Sequence, residues 1–336
     1  MTNKVYENIK NYIKENYKGL LFIIICFLLV TVKLPLYIEA PGGLINTAEK
    51  IDYSSNFKMK GSLNMAYVSQ LSGTIPMLTY ALINPNWDIL KEKEITTGSE
   101  SPEDTDYRNK ILLKEANDIA LLVAYKYSDI NYRISNNEVY VTYVDELAKT
   151  NLKVGDRIVK IESKEVSKKQ DLFDYIADKK IADKITFTVI RNDKQIKCNA
   201  TLINVENTAK VGIVITETFD IKSDYHVDFN FKSSESGSSG GLMMSLSLYS
   251  YLKKQDLTSG KKIVGTGTID SEGNVGEISG IKYKLIGAVK NKADIFLVPD
   301  GDNYKDAMKL KKEKKYDIKI VKVKTFDDAL VYLKSL

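Results

Sequence analysis

Histidine is almost absent from this chain. Its 336 residues include one histidine, His226, and two cysteines, Cys26 and Cys198. A Ser-His-Asp or Cys-His hydrolase would have to use His226, so a lysine is the better candidate base for any nucleophile. The cysteines form neither a CxxC pair nor a Cys/His cluster, which argues against a zinc site. Because Cys26 lies in an apolar run, we expect no disulfide between the two cysteines.

Concentrated positive charge is also lacking. The net charge of +5 is spread along the chain. Without an Arg-rich stretch or a basic block interleaved with aromatic residues, we expect no nucleic acid partner. A Walker A loop, with the pattern Gly-x4-Gly-Lys-Ser/Thr, is missing as well. The nearest candidate is Gly260-Lys261, but Gln255 occupies the position of the first glycine and Lys262 that of the serine or threonine. We therefore expect no nucleotide, no cofactor and no metal ion.

One long hydrophobic run stands near the N-terminus. Residues 19–32 are apolar, and residues 34–38 extend the run to the length of about 20 that a membrane span needs, with Lys33 free to snorkel. The run is preceded by Lys4, Lys10, Lys14 and Lys18. This charge asymmetry predicts a single-pass anchor in the cell membrane at 19–38, with a cytoplasmic N-terminus and the remaining chain outside the cell. A cleaved signal peptide is the alternative, although 37–40 is a poor cleavage site.

Short alternating segments predict a compact β-rich domain over residues 128–204. The segments are a strand, a turn leading into a second strand, a short amphipathic helix and a hairpin, at 139–144, 152–161, 171–178 and 185–202. With LKVGDRIVKIESKEV at 152–166, this order of elements resembles a bacterial PDZ domain. The resemblance implies that an extended peptide docks at a sheet edge. A domain that only spaces or packs against its neighbour is the alternative.

A turn rich in serine and glycine joins a predicted strand to a predicted helix in the last third of the chain. Residues 225–231 alternate as a strand, residues 236–241 read SGSSGG, and 242–252 have helical spacing. Such a turn suits a serine nucleophile, because glycine permits close substrate approach and amides at a helix start can stabilise an oxyanion. A flexible linker is the alternative, but linkers do not open directly into an apolar helix.

Two lysines stand at the predicted start of a later helix, residues 281–289. Lys282 and Lys284 would project about 160° apart, so at most one points at a given serine. The helix dipole and partial burial both favour the neutral amine that a general base needs. Helical periodicity does not decide between the two lysines, and a solvent-facing surface lysine is the alternative for each.

Three segments resemble the Lon-type peptidase domain: SGSSGGLMMSLSLY at 236–249, GTGTIDSEGNVGEISGIKYKLIGA at 265–288 and ADIFLVP at 293–299. Together with the anchor and the PDZ-like domain, their order is similar to that of the PDZ-containing, membrane-anchored Lon-like serine peptidases of Gram-positive bacteria. The resemblance implies an ATP-independent serine endopeptidase acting on secreted or membrane-proximal peptides and proteins.

The same resemblance selects the site residues. It implies a catalytic dyad of Ser239 and Lys284, with Thr266 orienting the lysine, and so prefers Ser239 to Ser236 and Ser238 and prefers Lys284 to Lys282. Three positions depart from the family pattern. Proline, alanine and glycine of the family are replaced here by Ser238, Gly240 and Ser279. These changes loosen the turns, because glycine and serine hold a backbone less firmly than proline.

The expected fold class is α+β, with an N-terminal transmembrane helix, a PDZ-like β-rich domain and a Lon-type α+β peptidase domain. The expected bounds are 1–18 for a cytoplasmic tail, 19–38 for the anchor, 39–127 for a membrane-proximal extracellular region, 128–204 for the PDZ-like domain and 205–336 for the peptidase domain. A non-catalytic surface scaffold or chaperone that retains the fold is the competing function. The sequence leaves open whether the chain forms a homo-oligomer.

Overall fold

The structure is a computed structural model that describes residues 2–53, 56–98 and 100–336. The helices are α1 Thr2–Thr31, α2 Ile75–Ile83, α3 Glu92–Ile95, α4 Pro102–Ser128, α5 Lys169–Ile176, α6 Gly241–Lys253, α7 Ile281–Lys290, α8 Asp302–Lys314 and α9 Phe326–Lys334. Thr47–Glu49 form a 3-10 turn.

The strands of the first half are β1 Leu36–Asn46, β2 Ile51–Asp52, β3 Ser62–Ser72, β4 Asp88–Lys91, β5 Arg133–Val144, β6 Lys149–Thr150, β7 Arg157–Ile161, β8 Lys164–Glu165 and β9 Lys184–Arg191. Those of the second half are β10 Lys194–Thr201, β11 Ile203–Val205, β12 Thr208–Lys210, β13 Ile213–Lys222, β14 Asp228–Phe229, β15 Lys262–Gly265, β16 Thr268–Ile269, β17 Val275–Gly276, β18 Ile295–Pro299 and β19 Lys319–Val323. The chain divides into two compact units, one of residues up to 40 with 69–95, and one of 41–68 with 96–336.

The transmembrane helix expected at 19–38 does not form over those residues. Helix α1 runs through the expected cytoplasmic tail and ends at Thr31, whereas Leu36 begins β1 and pairs with β4 in antiparallel fashion. Pro35 explains the break, because proline disfavours a helical residue before it and donates no hydrogen bond. No helix in the described part of the chain is both long and apolar enough to cross a membrane. The location outside the cell stays a prediction, and Met1 lies outside the described residues.

The first sheet of the larger unit is parallel at its centre. Strand β15 pairs in parallel with β3 on one side and with β18 on the other, and β18 pairs in parallel with β19. Adjacent strand residues point to opposite faces. Ile263 accordingly packs in a core with α6, while Val264 packs in a core with α7. The two helices therefore cover opposite faces of this sheet.

The second sheet of this unit follows the strand order β13-β5-β7-β9-β10-β6, with β8 beside β7. Its core contains Val141, Phe187 and Val189, and Ile213 and Ile215 of β13 pack against that core. Sequence reasoning placed β13 in the domain after residue 204, yet its residues pair with β5 from Ile213 to Lys222. Strand β13 is an edge of this sheet, and α5 lies against it.

Candidate active site

Ser239 lies at the end of a loop that leads into α6. We define the serine loop as residues 230–240. The carbonyl oxygen of Ser239 accepts a hydrogen bond from the Gly267 amide at 2.8 Å and another from the Thr266 hydroxyl at 3.1 Å. The amide of Leu242 in turn donates to the Gly267 carbonyl at 3.2 Å. The backbone of Ser239 is thereby fixed to the segment that follows β15, while its side chain stays partly exposed.

The backbone amides beside this serine are available to a ligand. Among the residues that the structure describes, the N–H groups of Ser239 and Gly240 donate no hydrogen bond, whereas the next amide, that of Gly241, donates to the Ser238 carbonyl at 3.2 Å. Free amides at a helix start carry partial positive charge. Two adjacent donors of this kind can stabilise negative charge on an oxygen atom.

Lys284 approaches from α7, on the opposite face of the sheet. The helix begins after Gly280, whose φ of 72° is the left-handed conformation that glycine adopts without strain. Lys284 is 4% exposed, and its Nζ donates to the Thr266 hydroxyl at 3.1 Å. Burial, which disfavours the charged ammonium form, lowers the pKa of Lys284 to about 8. A substantial fraction of the lysine is therefore neutral near pH 8.

Thr266 joins the two predicted dyad residues. Its hydroxyl has one proton, which it donates to the Ser239 carbonyl, so it accepts from Lys284 with a lone pair. A neutral lysine amine keeps two N–H groups and one lone pair. Because one N–H is used on Thr266, the lone pair remains for another proton. The arrangement thus holds a basic nitrogen beside the backbone of Ser239.

The structure brings Ser239, Thr266 and Lys284 into one chain of hydrogen bonds, but through the serine carbonyl rather than the serine hydroxyl. No hydrogen bond of the described residues involves the Ser239 hydroxyl. Lys282 is partly exposed, with its Nζ 5.2 Å from the ring centroid of Tyr283. His226 is exposed and lies 2.8 Å from an Asp228 carboxylate oxygen. Neither of these two side chains is joined to Ser239.

Glycine at position 240 has a reason visible in the packing. A β-carbon at this position would overlap the sulfur of Met65, a buried residue of β3. The backbone of Gly240, with φ of −93° and ψ of −6°, would otherwise accept alanine. The glycine at residue 240 thus leaves room for the methionine beside it.

Two contacts of the serine loop were missed by sequence reasoning. The Gly237 amide donates to the carbonyl of Asn109 in α4 at 2.9 Å. The side chain of Glu235 pairs with Lys50 at 2.7 Å. A backbone carbonyl carries no sequence signal, and Lys50 lies far from the loop in sequence within no recognisable motif.

Comparison with known proteins identifies one domain. Residues 122–202 match the PDZ domain family. Two solved structures are similar over the same kind of domain, the PDZ domains of SdrC-like proteins from Listeria monocytogenes and Listeria innocua. They are 25% and 28% identical, cover 25% and 23% of this chain and 92% of each of those chains, and have TM-scores of 0.23 and 0.22.

Partial similarity to Lon proteases is also present. The Lon protease of Xanthomonas oryzae is 34% identical over 110 residues, which are 32% of this chain and 13% of that protein. The Lon protease of Campylobacter jejuni is 27% identical over 206 residues, 59% of this chain and 24% of that protein. The chain therefore spans about a quarter or less of the length of these relatives. The expected PDZ domain is confirmed, in a chain of mixed helices and strands that shares part of its sequence with Lon proteases.

Proposed function

We propose that the protein is an ATP-independent serine endopeptidase in which Lys284 is the general base for Ser239. The observation that carries this proposal is the buried amine of Lys284, with its pKa lowered to about 8, hydrogen-bonded through Thr266 to the backbone of the serine. A base works best when its pKa is near the operating pH. A lysine in water, with a pKa of about 10.4, would be almost wholly protonated at neutral pH.

The reaction follows from these groups. Neutral Lys284 takes the proton of the Ser239 hydroxyl as the oxygen attacks the carbonyl carbon of a peptide bond. The amides of Ser239 and Gly240 donate to the developing oxyanion. The Lys284 ammonium then gives its proton to the leaving amine, and an acyl-enzyme remains. Lys284 next takes a proton from water, the resulting hydroxide attacks the ester, and the serine recovers its proton as the carboxylic acid leaves.

Attack requires the Ser239 hydroxyl to turn toward Lys284. Catalytic hydrogen bonds are commonly long or absent without substrate and form when substrate binds. Rotation about the Cα–Cβ bond changes the position of the hydroxyl without moving the backbone, which remains bonded to Gly267 and Thr266. The proposal therefore requires a change of side-chain rotamer and no rearrangement of the loop.

The partial similarity to Lon proteases supports the peptidase class. The alignment with the Campylobacter jejuni protein covers 206 residues, more than twice the length of the 122–202 segment matched as a PDZ domain. That similarity therefore extends beyond the PDZ domain. It supports peptide-bond hydrolysis as the class of reaction, while the dyad itself follows from the side chains around Thr266.

Substrate docking is assigned to the PDZ domain. Domains of this family bind an extended peptide by adding it to a sheet edge. Strand β13 is such an edge, and α5 lies beside it, with the Lys169 amide donating to the Glu217 carboxylate at 2.9 Å. We propose that extended segments of peptides or unfolded proteins pair with β13 and reach Ser239 from there.

The test compares the full chain with three variants on a fluorescent unfolded protein and on peptides. Ser239→Ala and Lys284→Ala should each lose at least about 100-fold in kcat/KM, because each lacks a reacting group. Lys282→Ala is the matched control from the same helix turn and should stay within about threefold of the wild type. Full activity in either Ser239→Ala or Lys284→Ala would contradict the dyad.

A binding role without cleavage is the second candidate. It is favoured by one observation, the absence of a hydrogen bond to the Ser239 hydroxyl among the described residues. A scaffold or chaperone would bind unfolded protein with equal affinity in the wild type and in Ser239→Ala, and neither would release fragments. Mass spectrometry of the incubated substrate separates the two functions.

A further inference from the structure

The serine loop carries one member of a largely buried ion pair, Glu235, whose partner is Lys50. Lys50 Nζ lies 2.7 Å from Glu235 Oε2, and the two side chains are 7% and 17% exposed. The same carboxylate oxygen accepts the backbone N–H of Lys232 at 2.7 Å. Lys50 Nζ also lies 5.6 Å from the ring centroid of Phe231, within reach of a cation–π interaction. The carboxylate of Glu235 is thus fixed by Lys50 and by its own loop.

The backbone before Lys50 is held by buried hydrogen bonds. Lys50 follows the 3-10 turn in which the Thr47 hydroxyl donates to the Leu63 carbonyl at 2.8 Å and lies 3.0 Å from the hydroxyl oxygen of Ser247 in α6. Thr47 and Ser247 are both fully buried. The carbonyl of Lys50 accepts the amide of Asn230 at 2.9 Å. The start of the serine loop is therefore attached to the helix that Ser239 precedes.

The loop between this ion pair and Ser239 has little stiffness of its own. It contains Gly237, whose φ is 92° and around which an added β-carbon would meet no atom within 4 Å. Glycine and serine restrain a backbone weakly. Ser239 is only four residues after Glu235, about 14 Å of extended chain. Between Glu235 and the bonds that Gly267 and Thr266 make to Ser239, the loop backbone is held only by the Gly237 amide on Asn109 and by the Ser238 carbonyl, which accepts from Gly241, among the described residues.

A contribution to stability alone is a poor explanation of the pair. Desolvation of two charges offsets much of their attraction, and neutral replacements of buried ion pairs are often close to neutral in stability. In some proteins, buried ionic groups instead fix the position of the elements that carry them. At this place in the chain, the positioned element is the loop that ends in Ser239.

We propose that Lys50 and Glu235 are positioning residues that hold the serine loop so that the Ser239 hydroxyl can reach the Lys284 amine. The inference rests on the proposed function and extends it to residues remote from the reacting atoms. Neither side chain touches the substrate. Their effect is on the fraction of time that the nucleophile spends at the correct distance from its base.

The carboxylate of Glu235 stays charged over the pH range in which the base is active. Burial raises the pKa of Glu235, but hydrogen bonds from Lys50 and from the Lys232 amide, together with the positive charges of both lysines, outweigh it, so its pKa lies below the ordinary value. Glu235 is therefore ionised at neutral and alkaline pH. Glu235 does not titrate together with Lys284, and loss of the pair should leave the shape of the pH–rate profile unchanged.

The decisive variant is Lys50→Met with Glu235→Gln. It removes both charges, while the amide oxygen of glutamine can still accept from Lys232. We expect a kcat at least about 10-fold lower with KM unchanged, because positioning acts on the reactive fraction of bound complex. Acylation of Ser239 by a small fluorophosphonate should slow by the same factor. The matched control is Lys253→Met with Asp129→Asn, which removes a solvent-exposed pair at 3.3 Å and should change neither rate.

Hydrogen exchange separates failure of this inference from failure of the proposed function. Amides of residues 236–241 should exchange faster in the Lys50/Glu235 double variant than in the wild type, whether or not the protein cleaves peptides. A kcat within twofold of the wild type, or unchanged exchange in this segment, would overturn the inference. A wild type that neither cleaves peptides nor labels at Ser239 would refute the proposed function, and exchange alone would then decide whether the pair holds the loop. If the double variant does not fold, Glu235→Gln alone is measured in the same way.

Discussion

Lys284 donates to the hydroxyl of Thr266 at 3.1 Å, and that hydroxyl in turn donates to the carbonyl of Ser239. The base is thus fixed relative to the backbone of the serine, and only the serine hydroxyl has freedom to rotate. Thr266 is fully buried and follows the last residue of β15. Parallel strands end together at one edge of a sheet, and the beginnings of helices from both faces meet there. This placement explains how Ser239, just before α6, and Lys284, in the first turn of α7, come together.

Replacing Thr266 tests whether this connection matters. Thr266→Val keeps the shape but removes both hydrogen bonds, so we expect kcat/KM to fall by about 10- to 100-fold through misplacement of Lys284. The carbonyl of Ser239 keeps its bond from the Gly267 amide, so the loop should stay folded. Steady-state peptide hydrolysis provides the measurement. Thr266→Ser, which retains the hydroxyl, should keep most of the activity; equal rates for the valine and serine variants would contradict the assigned role.

The pH dependence of hydrolysis follows from the lowered pKa of Lys284. A general base works only when unprotonated, so kcat/KM should rise with pH and level off above an apparent pKa of about 8. Below that value the rate should fall about tenfold for each pH unit. The measurement is a profile of initial rates at low substrate concentration. A flat profile from about pH 6 to pH 9 would exclude Lys284 as the base.

The free energy of unfolding should also depend on the protonation of Lys284. Lysine has a pKa of about 10.4 in the unfolded chain and about 8 in the folded protein. Between these values the unfolded chain binds more protons, so the stability of the wild type rises with pH. Lys284→Met removes a charge whose burial costs on the order of 3 kcal/mol below pH 8. The variant should be more stable at pH 7, with a gain that shrinks toward about pH 10.

Urea unfolding at several pH values measures this difference. Lys282→Met is the control, since Lys282 is only partly buried, and it should change the free energy of unfolding by less than about 1 kcal/mol. A Lys284→Met variant that is less stable than the wild type at pH 7 would show that the lysine is not desolvated.

The packing of Gly240 against Met65 predicts that substitutions at these two positions have coupled effects on the free energy of unfolding. Gly240→Ala should cost about 1–3 kcal/mol, because its β-carbon overlaps the methionine sulfur. In a Met65→Ala background that overlap is gone, and the same substitution should cost close to nothing. Urea unfolding of the four proteins gives the coupling free energy. An equal cost in both backgrounds would mean that the methionine is not the reason for glycine at this position.

Local patterns in the sequence predicted much of the candidate site. The helix after Ser239 and the helix that carries Lys284 depend on periodicity within a short segment, and α6 and α7 begin where that periodicity predicts. The strand expected at 225–231 is wrong in its extent, because only Asp228–Phe229 forms a strand. The choice between Lys282 and Lys284 depended on burial, which a helix start does not reveal. The family resemblance prefers the lysine that the structure buries.

Features that depend on distant residues were not predictable in this way. Strand β13 joins a sheet whose partner strand β5 lies far earlier in the chain, and the pairing of Lys50 with Glu235 joins positions 185 residues apart. The prediction for 19–38 is wrong because hydropathy alone does not register that the helix ends at Thr31, before Pro35, and that Ile38 is buried in a strand.

The most direct test of the dyad is the rate at which a fluorophosphonate acylates Ser239, followed by intact mass and peptide mapping. We predict a single adduct on Ser239 in the wild type, no adduct in Ser239→Ala, and labelling slower by at least about 100-fold in Lys284→Met at pH 8. Labelling of Lys282→Met should match the wild type. Equal labelling rates in the wild type and in Lys284→Met, or an adduct on Ser236 or Ser238 instead, would contradict the assignment of Ser239 and Lys284 as nucleophile and base.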